Sequence, residues 1–354
     1  METKPKHGNN PDFDYVIDKL TALLKIPSVT GNTKEALDWL KYEFDIIGYD
    51  THVTNKGGLI VSIPGSKRGN ERLLSAHVDT LGAMVYEVKA NGRLKLATIG
   101  GVAWQSIEGE RVTIQTMNGD VFTGTVLTTK ASSHVYGKES ANLERNQENM
   151  EVRLDEKVQS KDDTFALGIR PGDFVAFDPR VELAGSGFIK SRHLDDKASC
   201  AILLGAARHF AERKLKPAYN TYLFITNYEE VGHGASYGIP DSVQEMVAVD
   251  MGCVGDGLLG SEYTVSVCAK DSSGPYDLHL RRRLERLCKD NDIPYAVDVF
   301  PYYGSDASAA LRAGANVRAG LIGPGVDASH AHERTHKEGI MATYRLVIEY
   351  MLSE

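Results

Sequence analysis

Apolar and polar positions along the chain first follow a helical repeat and then a strand repeat. From Asp12 to Leu24, apolar residues return every three to four positions after Pro11, which predicts an N-terminal helix. A second helix is predicted over residues 33–47 and ends at Gly48, where a residue in the left-handed conformation is favoured. The apolar runs "GGLIVSI" and "RLLSAHVDT" then predict two strands.

After Gly82 the pattern changes to short alternating strands. Two predicted hairpins turn at Asn-Gly dipeptides, residues 91–92 and 118–119, and residues 173–179 add a further strand. Among them lies the polar segment "KESANLERNQENMEVRLDEKVQSKDD", whose first half is expected to be an exposed loop. Residues 86–180 are therefore predicted to form a small β-barrel inserted into another domain.

Helices and strands alternate again in the rest of the chain. Helices are predicted near residues 196–213, from Pro275 in "GPYDLHLRRRLERLCKDN", in "ASAALRAGA" and in "KEGIMATYRLVIEYMLSE". Strands are predicted at residues 221–226, in "EMVAVD" and in "VRAGLIG". Such alternation is typical of an α/β fold, a mixed sheet covered by helices on both faces. The larger domain is then discontinuous and consists of residues 1–85 and 181–354.

Composition places the chain among ordinary globular proteins and narrows its partners. Of its 354 residues, 42% are apolar and 25% charged, and the formal net charge of -8 argues against nucleic acid as a partner. No apolar run is long enough to span a bilayer, and the polar segment "METKPKHGNNPDFDY" lacks the apolar core of a signal peptide. The four cysteines show no CxxC spacing, so we expect free thiols and a cytoplasmic protein.

Residues that can bind metals gather at the ends of predicted strands, where open α/β sheets place their sites. His77 and Asp79 lie two apart in "SAHVDT", so the carboxylate could hold or orient the imidazole. Asp195 and Asp196 stand where a loop turns into a helix, and one of them could simply be the N-cap. Asp250 ends the strand in "MVAVDMG", a position that is also common for turn-forming residues.

Two adjacent glutamates, Glu229 and Glu230, follow the apolar strand "TYLFIT". Adjacent residues on a strand point to opposite faces, so the two carboxylates need not share one role. Near the C-terminus, "DASHAHERTH" contains His330, His332 and His336. Each of these residues, taken singly, is also typical of a solvated position.

Together these residues form a set of nitrogen and oxygen donors that suits two divalent ions. The set has five ligands, namely His77, Asp195, one of the adjacent glutamates, Asp250 and a histidine near residue 330. These five suffice for two ions when one carboxylate is shared between them. Zinc or cobalt suits such donors, with manganese as a further alternative. Paired ions about 3.5 to 4 Å apart acidify a bridging water and stabilise an oxyanion. The remaining glutamate of the pair is then available as a general base.

The motifs "AHVDT", "HLDDKASC", "NYEEVGHGA", "AVDMG" and "DASHAHERTH", in this order and with an inserted β-domain, resemble the glutamyl or tetrahedral aminopeptidase family of metallopeptidases. This family is also known under the names deblocking aminopeptidase and endoglucanase M. The resemblance covers nearly the whole chain. It implies that His77 and Asp250 bind one ion, that Glu230 and His330 bind the other, and that Asp195 bridges the two.

The resemblance further implies that Glu229 is the general base and that Asp79 orients His77. The usual family ending is closer to "RYIHS" than to "VDASHAHERTH", and His330 is preferred to His332 because an "SH" followed shortly by glutamate matches a divergent branch. Family members assemble as dimers and as hollow tetrahedral dodecamers, which implies a homo-oligomer whose inserted domain contributes to the contacts and to substrate access.

The leading hypothesis is a two-metal aminopeptidase that acts on peptides. The alternatives are a deacylase or carboxypeptidase-type amidohydrolase, and a non-catalytic assembly protein of the same fold. The stretch "DVFPYYGSDASAALRAGA" is similar to a branch encoded with an osmoprotectant-dipeptide system, which implies a peptide-like amide substrate. His193 and His233 have two open interpretations, as residues of the substrate pocket or as ordinary exposed histidines.

Overall fold

The computed structural model describes residues 11–354, in which helices and strands alternate around two cores. In chain order the helices are α1 (Pro11–Leu24), α2 (Lys34–Ile47), α3 (Ser133–Tyr136), α4 (Lys138–Asn142), α5 (Lys161–Ala166), α6 (Leu194–Glu212), α7 (Leu278–Asp290), α8 (Asp306–Arg312) and α9 (Lys337–Leu352). The strands are β1 (Asp50–Val53), β2 (Leu59–Ile63), β3 (Lys67–His77), β4 (Gly82–Val88), β5 (Leu94–Ile99), β6 (Arg111–Gln115), β7 (Val121–Thr128), β8 (Met150–Leu154), β9 (Phe174–Phe177), β10 (Glu182–Leu183), β11 (Phe188–Ser191), β12 (Tyr219–Thr226), β13 (Val243–Val249), β14 (Gly252–Cys253), β15 (Val265–Asp271), β16 (Gly274–Pro275), β17 (Tyr295–Val299), β18 (Arg318–Val326) and β19 (Glu333–His336).

A large mixed sheet forms the centre of the molecule. Its strand order is β1-β2-β12-β3-β13-β18-β15-β16, with β14 beside β18 and β17 beside β15. The four central strands β12, β3, β13 and β18 are parallel to one another, whereas β2 and β15 flank them in the antiparallel sense. The carboxyl ends of the central strands therefore meet at one edge, the usual place for a site in such a sheet.

Alternate residues of the central strands pack against layers on opposite faces of the sheet. Leu74 and Ala76 of β3 share a core with the apolar sides of α1, α2, α6 and α9, whereas Leu73 packs in a second core with Ala307 and Ala310 of α8. These two layers exclude water from both faces, as the buried parallel strands require. The predicted α/β fold, with helices on both faces of a mixed sheet, is confirmed.

A closed barrel of six strands follows β3 in the chain. Its order is β4-β5-β8-β7-β6-β9, and pairing of β4 with β9 closes it. The barrel has its own apolar core, which includes Val85, Leu96, Val112 and Val126. The predicted β-barrel is thus confirmed, while the division of the chain into domains at residues 86 and 180 stays a prediction.

Several predicted elements differ in detail from the observed ones. Pro275 does not begin a helix but belongs to β16, and α7 begins at Leu278 because the Asp277 side chain caps it by accepting the N–H of Leu280 at 2.8 Å. The half-segment expected to be a loop begins with the short helix α4 at Lys138, and α3 lies just before it. No helix within residues 11–354 is long and apolar enough to cross a membrane. The prediction about the polar N-terminal segment lies outside the described residues as far as it concerns residues 1–10.

Candidate metal centre

The carboxyl ends of three parallel strands bring the predicted site residues to one edge of the sheet. β3 ends at His77, β13 ends one residue before Asp250, and β12 is followed by a 3₁₀ turn over Glu229–Val231. Since β12, β3 and β13 are neighbours, these three ends lie side by side. Asp195 comes from the first turn of α6, and His330 from the loop between β18 and β19.

His77 is buried at the centre of this cluster. Its Nε2 is 3.0 Å from Oδ1 of Asp195 and 3.8 Å from Oε2 of Glu229. Donor atoms of His77, Asp195 and Glu230 lie within 4.8 Å of one another, and so do those of His77, Glu229 and Asp250. His77 therefore belongs to two overlapping sets of three donors, each of which is compact enough to hold one cation.

His330 faces two carboxylates of the cluster, those of Asp195 and Glu230. Its Nε2 lies 3.5 Å from Oδ2 of Asp195 and 3.5 Å from Oε2 of Glu230. The other histidine that the sequence leaves open, His332, lies beside Arg180. Of these two histidines, His330 is therefore the one whose ring reaches the carboxylates.

Asp79 is completely buried and supports two parts of the cluster with different atoms. Its carbonyl oxygen is 2.9 Å from Nδ1 of His77, whereas its carboxylate is 3.7 Å from that nitrogen. The carboxylate accepts the N–H groups of Glu229 and Glu230, at 3.2 and 3.3 Å, and the hydroxyl of Thr30 at 2.7 Å. The contact to His77 thus differs from the predicted one. It is made by the carbonyl oxygen of Asp79, whereas the carboxylate accepts hydrogen bonds from the N–H groups of the 3₁₀ turn.

Two further carboxylates hold the site, and sequence patterns did not reveal their roles. Glu333 is buried in β19 and accepts the N–H of Asp195 and the N–H of His330, both at 3.1 Å. Asp306, the first residue of α8, accepts the Thr226 hydroxyl at 2.6 Å and the N–H of Ala235 at 2.8 Å. It thereby anchors both sides of the segment that carries the adjacent glutamates. Glu333 stands in the quoted histidine motif, but only the fold shows what it touches.

Burial and mutual repulsion dominate the electrostatics of the cluster. Burial raises the pKa of Glu229 and of Glu230 well above the ordinary value, and neighbouring carboxylates add to this shift. Burial and the charge of Asp195 likewise raise the pKa of Asp250 to about 7. Burial acts the same way on Asp195, but hydrogen bonds from His330 and His77 outweigh it and lower the pKa of this carboxyl.

The donor set fits divalent cations. Four buried or half-buried carboxylates and two imidazoles face one another at distances of a few ångströms, and carboxylates held this close repel each other unless a cation lies between them. Imidazole nitrogen and carboxylate oxygen are the donors that zinc, cobalt and manganese accept. His77 and His330 also have their second ring nitrogens occupied by carbonyl oxygens, as is usual for histidines that bind metals.

A cavity of about 380 Å³ opens onto the cluster, with the carboxylates of Glu229, Glu230 and Asp250 in its wall. The two unassigned histidines have different surroundings. His193 is buried beside Asp195, with its Nε2 3.4 Å from the carbonyl oxygen of Phe177, so the interpretation as an exposed residue is wrong for it. The ring of His233 is exposed and stacks on Tyr228, with 5.0 Å between ring centroids.

A protein-family model and a bacterial relative both match most of this chain. A family model described as M42 glutamyl aminopeptidase matches residues 57–346. The Bacillus subtilis (strain 168) protein named "Putative aminopeptidase YhfE" is 50% identical over 337 residues, which are 95% of this chain and 97% of that protein.

Solved structures with the same fold extend over almost the entire chain. The aminopeptidase APDkam598 from the archaeon Desulfurococcus kamchatkensis has a TM-score of 0.85 and 22% identity, and the match covers 97% of this chain and 96% of that one. The TET1 peptidase of Pyrococcus horikoshii, described as able to assemble into a tetrahedron or a large octahedral shell, has a TM-score of 0.83 and 20% identity, over 96% of this chain and all (100%) of that one. At these identities the structures show the fold.

Proposed function

The chain belongs to the M42 glutamyl aminopeptidase family, and from this premise we propose that it is a two-metal aminopeptidase that removes N-terminal residues from peptides. One observation carries the proposal most directly. The adjacent carboxylates Glu229 and Glu230 both reach the cluster, and their donor atoms fall into different sets of three around His77. The site thus offers a complete ligand set together with one additional, half-buried carboxylate.

We assign the ligands as the family pattern implies, and the contacts support the assignment. His77 and Asp250 would hold one ion, Glu230 and His330 the other, and Asp195 would bridge them, since its two oxygens face the two histidines separately. Zinc is the metal we propose first, with cobalt or manganese as substitutes that accept the same donors. Two ions bound there would supply Lewis-acid chemistry, which polarises the scissile carbonyl and acidifies water.

Glu229 is the residue to which we assign the proton transfers. Its carboxylate is half-buried in the cavity wall, and burial raises its pKa, which makes it a stronger acceptor for a proton of the attacking water. The same group then delivers the proton to the leaving amine. The carboxylates around the cavity also favour a positively charged group, which suits the free N-terminal ammonium of a peptide.

The proposal extends to assembly and location. The peptidase from Pyrococcus horikoshii can assemble into a tetrahedron or a large octahedral shell, so we propose that this chain is a homo-oligomer, built from dimers, in which the barrel contributes to contacts and to substrate access. We also propose a cytoplasmic location, because Cys200, Cys253, Cys268 and Cys288 are all free thiols.

The proposal is tested by metal analysis and by a substrate panel. We expect about two ions per chain, and cleavage of aminoacyl-p-nitroanilides that is lost on chelation and restored by zinc, cobalt or manganese. Glu229→Gln is expected to keep both ions and to lose at least about 100-fold in kcat, because it removes the proton acceptor without removing a ligand. Normal turnover in Glu229→Gln would exclude Glu229 as the base.

The same panel separates the alternative functions. Cleavage of N-acylated or other blocked amides, with free-amine substrates left intact, would indicate a deacylase or carboxypeptidase-type amidohydrolase at the same metal centre. A protein that binds no ion and cleaves none of these substrates would be an assembly protein that has kept only the fold.

A further inference from the structure

His330, the proposed ligand of the second ion, contacts the barrel as well as the larger domain. His330 lies in the loop of residues 327–332, between β18 and β19, and has a left-handed backbone with φ of 64°. Glu333 fixes this loop from one side through the N–H of His330. A single hydrogen bond to the main chain does not fix the ring, whose direction depends on the contacts of both ring nitrogens, Nε2 with the carboxylates and Nδ1 on the opposite side.

The Nδ1 atom of His330 contacts a residue of the barrel. Nδ1 of His330 is 3.2 Å from the carbonyl oxygen of Gly101, in the connection between β5 and β6. When Nδ1 carries the proton, this contact leaves the lone pair of Nε2 for a metal, because the other ring nitrogen determines the tautomer. A Cβ atom at residue 101 would lie only 3.0 Å from Nδ1, so glycine permits this close approach.

A buried ion pair ties the same loop to the barrel. The Arg192 guanidinium donates from Nε to Oε2 of Glu110 at 2.7 Å, from Nη2 to the carbonyl oxygen of Ser106, and from Nη1 to the carbonyl oxygen of Ala331 at 3.2 Å. Both Arg192 and Glu110 are buried, with 4% and 3% of their surface exposed. Arg192 thus connects one barrel segment, the connection between β5 and β6, with the residue that follows His330.

We propose that Gly101, Glu110 and Arg192 are positioning residues for His330, so that the inserted barrel completes one of the two metal sites. The inference rests on the proposed function, because it requires that His330 binds an ion. The barrel would then determine how tightly the ion of His330 and Glu230 is held, while the ion of His77 and Asp250 depends on the larger domain alone.

The test is the metal content of full-length variants after dialysis against a competing chelator. We expect wild-type protein to keep two ions, and Glu110→Gln or Arg192→Met to keep about one, with the affinity of the weaker ion reduced about 10- to 100-fold, as is usual when a partner of a ligand is lost. A high zinc concentration should restore activity, since the ligands and the base are intact. Arg111→Gln is the matched control, because it breaks a neighbouring ion pair with Asp178 whose arginine is 72% exposed.

A second variant guards against misfolding of a protein that lacks the buried pair. Gly101→Ala places a methyl group against the His330 ring in a backbone that alanine can adopt, and it should also lose one ion selectively. His330→Ala already removes the ligand, so combining it with Glu110→Gln should not lower the metal content any further. The proposal is overturned if folded variants retain both ions at wild-type affinity, or if they lose both ions together. A wild-type protein without metal would instead overturn the proposed function.

Discussion

At the scale of single residues, Asp79 connects the most parts of the site. Asn at this position keeps the size but replaces an acceptor-only carboxylate by an amide, so one N–H of the Glu229–Glu230 turn would face a donor whichever oxygen becomes the NH2 group. We expect Asp79→Asn to lower kcat by about 10- to 100-fold, because the base and a ligand are displaced together. Steady-state kinetics together with metal content measures this effect.

Thr30→Val is the control for Asp79. It removes the 2.7 Å hydrogen bond to the Asp79 carboxylate but leaves both N–H contacts of the turn in place. We expect a loss of about 1–3 kcal/mol in stability, from the buried acceptor left with one partner fewer, and little change in kcat. Wild-type turnover in Asp79→Asn would show that the turn holds its shape without the carboxylate.

Sequence patterns predict the position of a candidate ligand well when it lies at the end of a strand. His77 and Asp250 directly end or follow apolar runs, and the order of parallel strands then brings them together. Glu333 and Gly101 could not be recognised in this way. Their contacts join segments far apart in the chain, as between Glu333 and Asp195, and no local periodicity records such a contact.

At the scale of elements, periodic segments were predictable and short or edge segments were not. The helix after residue 33 ends at Gly48, whose φ of 99° confirms the expected left-handed stop. β15 and β17 were not predicted, although they extend the sheet beyond β18. Their assignment depends on tertiary neighbours, since β17 pairs only with β15 among the described strands and has one face half exposed.

Away from the site, Glu245 of β13 joins several elements at the opposite edge of the sheet. Its carboxylate contacts Arg72 of β3, Arg283 of α7 and Arg318 of β18, and it accepts the Tyr350 hydroxyl of α9 at 3.1 Å. Glu245→Gln would leave the buried Arg72 without its counter-charge, so we expect a loss of about 3–5 kcal/mol in the free energy of unfolding. Urea denaturation measures it, with the exposed Asp38→Asn as a control expected to change less than about 0.5 kcal/mol.

The same carboxylate makes stability depend on acid pH. Burial would raise the pKa of Glu245, but the surrounding arginines lower it below its ordinary value of 4.5. A carboxyl group with a lower pKa in the folded state stabilises the fold above its unfolded pKa, and this stabilisation is lost as pH falls through the folded pKa. Wild-type stability should therefore fall more steeply below about pH 4.5 than that of Glu245→Gln. If the stability of the two proteins falls equally steeply at acid pH, this assignment is wrong.

At the scale of the whole molecule, the candidate metal centre lies where three parts of the fold meet. The sheet supplies His77, Asp250 and the adjacent glutamates, α6 supplies Asp195, and the loop beside the barrel supplies His330. Metal bound there would therefore fix the relative positions of these parts, in addition to neutralising the carboxylates. Ions that bind the folded chain but not the unfolded chain stabilise the fold, by about 4 kcal/mol at a thousand times their dissociation constant.

Chelation should accordingly lower the melting temperature, and Glu229→Gln should reveal the cause. Burial raises the pKa of Glu229, and the charge of Asp250 adds to the shift although His77 opposes it, so an ionised Glu229 is unfavourable without cations. We expect metal-free Glu229→Gln to melt above metal-free wild type, and the difference to shrink or reverse when both proteins are loaded with zinc. Differential scanning calorimetry of all four samples measures this. The exposed Glu156→Gln is the control, and it should change the melting temperature of neither the metal-free nor the zinc-loaded protein. If metal-free Glu229→Gln melts below metal-free wild type, repulsion among the carboxylates is not what the ions relieve, and the ordering of the three parts alone must explain the stabilisation.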